Sequence, residues 1–283
     1  MRVLVTGAAG FVGRTLLARL ATRADCEVHA LDRNPCGDVS HHVCDMREAD
    51  RVLLVVRTVA PDCIYHLAGS FAETSTAHIA ENVETSRNLL EAVRLTNSRS
   101  RVLLIGSAAE YGEVRRDANP LREDFPLRPA SSYGHAKACQ TRLMDDYCRK
   151  HGLDVVMARL FNLFGAGASP QLFVGHVEQQ IEQFRRGLVG EIVVGNLEAV
   201  RDYLPVDKAA AYLECIMERG VRGEVYNVAS GEPVSMRDLL ERILTHHGIA
   251  WEKVRIESAA GRGNSTVPCV YADIAKLRAL NCA

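Results

Sequence analysis

The chain has 283 residues, 47% hydrophobic and 24% charged, which gives enough apolar material for the core of one large α/β unit and excludes a disordered chain. With 34 Lys+Arg against 35 Asp+Glu the formal net charge is -1, so no field exists to hold nucleic acid or an anionic membrane non-specifically, and an anionic ligand must be gripped locally. No apolar run approaches the ~20 residues that span a bilayer, and the nine cysteines form neither a CxxC pair nor a Cys/His cluster at zinc spacing. A soluble, cytoplasmic, unprocessed protein with reduced thiols and no bound metal is expected.

RVLVTG is a β-branched run closed by glycine, and FVGRTLLARLATRA after it has helical spacing. EVHALD reads as the second strand, and a polar segment ending at Cys44-Asp45 closes the third. READRVLLVVRTV reads as a helix and DCIYHLA as the next strand. A helix over 76–95, the strand RVLLIGS, a loop rich in Pro and charge over 113–129, a helix over 132–150 and the strand DVVMARL continue the alternation. Repeated strand-helix units imply a Rossmann-like, doubly wound parallel sheet with helices on both faces. Beyond Gly165 the rhythm weakens to the helix FVGHVEQQIEQFRRG, the short strand EIVVG and the amphipathic helix MRDLLERILTHHG. The expectation is a dinucleotide-binding domain over 1–165 and a smaller C-terminal lobe over 166–283, interleaved with the end of the large domain.

Gly7, Gly10 and Gly13 form GxxGxxG between the first strand and the first helix. Such a turn needs residues without Cβ, lets a pyrophosphate approach bare N–H groups and places it at the positive end of a helix. Asp32 ends the second strand 19 residues after Gly13, where a carboxylate can bind the adenosine ribose. Asp32 favours NAD(H), while Arg33 beside it could pair with a 2′-phosphate, so NADP(H) is tolerated. Asp45 and Met46 after the third strand could meet the adenine edge and face, or be an ordinary turn. Tyr133 and Lys137 form YxxxK on a predicted helix, which puts both on one face; the ammonium can then lower the phenol pKa and hold the nicotinamide ribose.

In order along the chain, VTGAAGFVG, YHLAG, ENVETSRNLLEA, GSAAEYG, YGHAK and RLFNLFGAG resemble the motifs of the extended short-chain dehydrogenase/reductase family, its nucleotide-sugar branch, over residues 1 to 170. The resemblance implies Ser107, Tyr133 and Lys137 as the catalytic set, with Tyr133 exchanging a proton at a sugar oxygen while hydride moves at the same carbon and Ser107 bonding that oxygen. It also implies cofactor contacts at Phe11, Val12, Leu67, Ala68 and Gly69, substrate contacts at Ser70, Ser107, Ala108, Ala109 and Glu110, and a homodimer formed by the helices over 76–95 and 132–150. The family's 4,6-dehydratases carry an acid pair directly after the Ser/Thr. Ala108 and Ala109 stand there, and a methyl group can neither remove a C–H proton nor protonate a leaving hydroxyl; Glu110 is one position out of register.

VVGNLEAVRDYLPVDKAAAY and GEVYNVASGEPVSMRDLLE resemble segments of the GDP-6-deoxy-4-keto-mannose reductases, which implies a phosphate-binding role for Arg201 and a substrate contact for Asn162. The alternatives are an exposed arginine paired with Asp202 and a turn amide. Arg262 in GRGNSTVP is the candidate for a second diphosphate contact, shifted from the family pattern, with Thr266 where an acid would stand. The expected function is NAD(P)H-dependent reduction of a GDP-linked 4-keto sugar; the rivals are a 4-epimerase with retained NAD and a non-catalytic dinucleotide sensor.

Overall fold

In the computed structural model, which describes residues 1–36, 39–69, 75–96, 99–257 and 268–281, the first apolar run is β1 (Arg2–Thr6) and the glycine turn leads into α1 (Phe11–Leu20). β2 (Glu27–Asp32), β3 (Ser40–Val43), α2 (Ala49–Val59) and β4 (Cys63–His66) follow. The next helical stretch begins as α3 (Ser75–His78), widens into a π-helical segment at Ile79–Glu84 and continues as α4 (Thr85–Leu95). Then come β5 (Arg101–Ser107), α5 (Ser132–His151), β6 (Asp154–Leu160), β7 (Asn162–Phe164), α6 (Phe173–Arg185), β8 (Ile192–Val194), β9 (Val200–Pro205), α7 (Val206–Arg219) and β10 (Val225–Val228). β11 (Pro233–Ser235), α8 (Met236–His247), β12 (Val254–Ile256), β13 (Cys269–Val270) and α9 (Ala275–Arg278) end the chain order.

Seven parallel strands line up as β10-β6-β5-β4-β1-β2-β3. The strands are apolar on both sides because both sides are covered. Val3 and Val5 of β1 enter one core with Leu16 and Leu20 of α1 and Leu213 of α7, while Leu4 between them enters the opposite core with Val52 of α2 and Leu89 of α4. Leu103 against Val102 and Leu104 in β5 repeats the alternation. The direction in which strands are added reverses between β1 and β4, and because the strands are parallel the loops after β1, β4 and β5 open at the same strand ends, where ligands of doubly wound sheets sit.

The segment after Gly165 supplies more than a lobe. β10 returns to the edge of the large sheet beside β6, whereas β9 forms a second sheet with β11, β13 and β7. A third core of Val177, Ile181, Ile192, Leu240 and Leu244 joins α6, β8 and α8. Asp202 of β9, fully buried, ties these pieces together by accepting the backbone N–H groups of Ser230 (2.8 Å), Gly231 (2.9 Å) and Ala272 (3.2 Å) and the Ser230 hydroxyl (2.6 Å). It is therefore a structural staple and not a surface partner for Arg201. The expectation of uniformly reduced thiols also needs correction: among the described residues seven cysteines are free, but Cys215 is disulfide-bonded.

Candidate active site

The glycine turn is built for close approach. Gly7 has φ +67, and a Cβ on it would lie 2.5 Å from the Ala68 nitrogen, so only glycine lets the loop after β4 pass this close to the loop after β1. A Cβ on Gly13 would fall 2.3 Å from the Gly7 carbonyl oxygen, and Gly10 starts α1 without a side-chain cap. The result is a bare backbone cradle at a helix start, which fits a pyrophosphate. Asp32 faces the same turn: its Oδ2 accepts the Ala9 N–H and its Oδ1 the Asn34 N–H, each at 3.0 Å. A carboxylate has about four acceptor sites, which leaves room for ribose hydroxyls.

Arg33 lies 3.7 Å from Glu81, and Arg47 reaches the same carboxylate at 3.7 Å. Asp45 is held by Arg47 at 2.6 Å, and that hydrogen bond brings its carboxyl down to about 2. Met46 is buried in the second core. Gly69 brings the loop after β4 to the π-helical segment and α5, since a Cβ there would lie 2.6 Å from Asn82 Oδ1 and 3.6 Å from Lys137 Nζ. Ser70 lies outside the described residues.

Ser107 ends β5, and Tyr133 and Lys137 stand in the first two turns of α5. Ser131 starts that helix by accepting the Gly134 N–H at 3.0 Å, and Arg149, Lys150 and His151 occupy its last turn, where positive charge is favoured. Ser107 Oγ accepts the Ala109 N–H at 3.2 Å, and Ser107 shares a hydrogen bond with the Tyr133 hydroxyl. Buried Lys137 donates to the Ile105 carbonyl at 3.1 Å, with Nζ 5.7 Å from the Tyr133 ring centre. Burial pushes Tyr133 up to about 12, against the opposing Ser107 hydrogen bond, and pushes Lys137 down to about 8. The net shift of the Tyr133 phenol is upward, from burial first and with the Glu110 charge adding to it, and not the lowering expected from Lys137.

Behind Lys137 lies a buried polar chain to which no sequence motif assigns a role. His66 Nδ1 is 2.8 Å from Thr6 Oγ1 and its Nε2 is 3.0 Å from Ser86 Oγ; Ser86 donates to the Asn82 carbonyl (2.7 Å) and accepts from Gln140 Nε2 (2.6 Å). Ser86 has one hydroxyl proton, already given to Asn82, so the donor count puts the His66 proton on Nε2 and leaves Nδ1 to accept from Thr6. The chain joins β1, β4, α4 and α5. A histidine in the otherwise apolar run CIYHLA was the available signal.

Glu110 does not meet substrate. It has no exposure and is paired with Arg159 at 2.9 Å, both beneath the end of β5, so its expected substrate contact is withdrawn. Ala108 and Ala109 remain half-buried in the turn directly after Ser107. Asn162 donates its amide N–H to the Asp202 carbonyl at 3.0 Å, fastening β7 to β9. Arg201 is half-buried beside Tyr203 and Cys269, and desolvation lowers it from the ordinary arginine value. Arg262 and Thr266 lie outside the described residues.

Residues 3–229 match the model of the NAD dependent epimerase/dehydratase family. The chain belongs to this family, an extended branch of the short-chain dehydrogenases/reductases. It is 32% identical over 248 residues, 85% of this chain and 78% of the relative, to GDP-6-deoxy-D-mannose reductase of Pseudomonas aeruginosa. It is 29% identical to dTDP-glucose 4,6-dehydratase of Streptomyces antibioticus, with coverage of 90% and 79%. Among solved structures it superposes on UDP-glucose 4-epimerase of Thermus thermophilus in complex with NAD, with a TM-score of 0.87, 26% identity and coverage of 100% and 94%. RMD from Pseudomonas aeruginosa complexed with NADPH gives 0.85, 26%, and 99% and 91%. The protein is thus an NAD(P)-dependent enzyme of a family that modifies nucleotide sugars.

Proposed function

We propose that this enzyme is a nucleotide-sugar 4-ketoreductase, which reduces GDP-4-keto-6-deoxymannose with NAD(P)H to a GDP-6-deoxyhexose such as GDP-rhamnose. The observation that carries the reading is the floor of the site. Ala108 and Ala109 follow Ser107, and Glu110, the next acid, is sealed against Arg159. Elimination of water needs a base for the C5 proton and an acid for the leaving hydroxyl, and neither is available at these positions. The likeness to a GDP-6-deoxy-D-mannose reductase supports the guanine nucleotide and the deoxysugar.

In this reading the glycine cradle and Asp32 hold the dinucleotide, and the sugar nucleotide lies between the strand ends of the large sheet and the second sheet, its diphosphate met by Arg201 and its sugar end by Asn162. When bound, the cofactor supplies the hydride that C4 receives. Ser107 and Tyr133 share the ketone oxygen between two hydroxyl donors. As C4 gains hydride, its oxygen takes the phenolic proton of Tyr133, so the ketone becomes an alcohol and the phenolate is later reprotonated from solvent. A phenol pushed up to about 12 is fully protonated at neutral pH, the state this step requires. Lys137 stands beneath to compensate the transient phenolate.

The test supplies GDP-4-keto-6-deoxymannose from a separate dehydratase and follows NADH and NADPH consumption. Wild type is expected to turn over, and Tyr133→Phe to lose about 10³-fold in kcat or more, as removal of a proton donor at the reacting oxygen implies. Absence of consumption with either cofactor sinks the reading, and tightly bound NAD with interconversion of two unreduced sugar nucleotides would assign a 4-epimerase instead.

A further inference from the structure

We propose that Glu110 is a positioning residue: its buried carboxylate fixes Ser107 at the end of β5 against the helix that carries Tyr133 and Lys137, and sets a negative charge beneath them. Three elements meet on this one group. Oε1 accepts the backbone N–H of Ser107 at 2.7 Å. Oε2 accepts the hydroxyl of Thr141, one turn beyond Lys137 on α5, at 2.6 Å, and Arg159 Nη2 of β6 at 2.9 Å. The pocket is shaped for the carboxylate, because a Cβ on Gly106 would lie 2.5 Å from Oε1. Arg159 is in turn held by its Nη1 bond to the Tyr111 hydroxyl at 2.9 Å and by stacking 4.7 Å from the Tyr111 ring.

Stability alone gives little reason for such a pair, since an apolar pair of similar volume usually serves a core as well or better. What an apolar pair could not supply is a directed acceptor for Ser107 N–H and a fixed charge in a poorly screened place. That charge raises both Tyr133 and Lys137, so it keeps a phenol and an ammonium in the site protonated together. Among the described residues, the other titratable groups around them are His78, whose ring meets Tyr133 edge-on at 5.7 Å, and His66 behind Lys137, which burial holds neutral by pulling it down to about 3.

The inference rests on the ketoreductase reading, but its first test does not need the substrate. The tyrosinate absorbance of Tyr133 is titrated as the difference between each protein and its Tyr133→Phe counterpart, in wild type and in Glu110→Gln/Arg159→Met, which removes both charges so that no arginine is stranded. The double variant is expected to titrate about half a pH unit or more below wild type. A loosening that let water in would also lower the midpoint by undoing the burial that raises it, so the shift counts for Glu110 only where the near-ultraviolet circular dichroism of the double variant matches wild type. In parallel, Thr141→Val, which removes one donor to the carboxylate, is expected to lower kcat for the keto sugar about fivefold or more, with KM changed less than about twofold. An unmoved titration in the folded double variant overturns the proposal, as does, should that protein not fold, an unmoved kcat in Thr141→Val. A wild type that turns over no keto sugar would end the ketoreductase reading while the titration still decides the role of Glu110.

Discussion

Arg33 is the residue at which cofactor choice becomes measurable. Its guanidinium is more than half exposed and 3.7 Å from Glu81, a contact that contributes little to folding in water, so removing it tests binding and not stability. In the proposed reading, Asp32 next to it uses its remaining acceptor sites for ribose hydroxyls, and the two side chains together suit both dinucleotides. Arg33→Ser is expected to weaken NADPH about tenfold, the worth of one charge-assisted hydrogen bond, and to leave NADH within about twofold; fluorescence titration with each cofactor checks both. An equal loss for both would show that Arg33 does not read the 2′ position. Gly13 is stricter. A methyl group there meets the Gly7 carbonyl oxygen at 2.3 Å, and since that neighbour is backbone it cannot swing away. Gly13→Ala is expected to weaken either dinucleotide about 100-fold or more by widening the turn; an unchanged Kd would refute the cradle.

At the scale of elements, Asp202 joins β9 to the turn at Ser230-Gly231 and to Ala272 after β13. Asp202→Ala would strand buried donors and is expected to cost about 3 kcal/mol, against about 1 kcal/mol for Ser230→Ala, whose loss leaves the backbone donors in place; urea unfolding separates the two. This staple also marks where the sequence stops being legible. β1, β2, β5 and β6 were readable because each is an apolar run of 5 to 7 residues in a repeating unit, and α5 because a capping serine and a closing Gly152 bound it. The second sheet was not, because β7, β11 and β13 have 3, 3 and 2 residues and owe their existence to pairing with the distant β9. The pair Tyr133 and Lys137 could be read from spacing, since one helix turn is local, whereas the role of Ser107 rested on the resemblance to the family. Glu110 could not, because its sequence neighbours point to the site while its contact, Arg159, sits on another strand. An arginine inside DVVMARL announces a buried partner without naming it.

For the molecule as a whole, the Thr6–His66–Ser86–Gln140 chain makes stability depend on pH through a group far from any surface. His66 is fully buried and its folded pKa falls to about 3, driven by desolvation and then by the Lys137 charge, while an unfolded histidine titrates near ~6.5. Between those values the unfolded chain carries the extra proton, so unfolding free energy rises with pH, and the stability contributed by neutral His66 is lost as pH falls below the unfolded value. The slope in that window is ~1.4 kcal/mol per pH unit for one such group. Carboxylates held by arginines, such as Asp45 at about 2, begin to contribute only nearer their unfolded pKa of ~3.9, which leaves about pH 5 to ~6.5 to the histidines; His42, also lowered by burial and by its neighbours His29 and His41, acts there in the same direction, so the difference between wild type and the His66 variant is what isolates His66. Urea midpoints of wild type across that range are expected to fall with acidification. His66→Asn, which offers the chain a donor and an acceptor that do not titrate, should start lower at neutral pH and show a flatter curve. Parallel curves for the two proteins would mean that the acid sensitivity comes from elsewhere and that His66 is not held neutral by its burial.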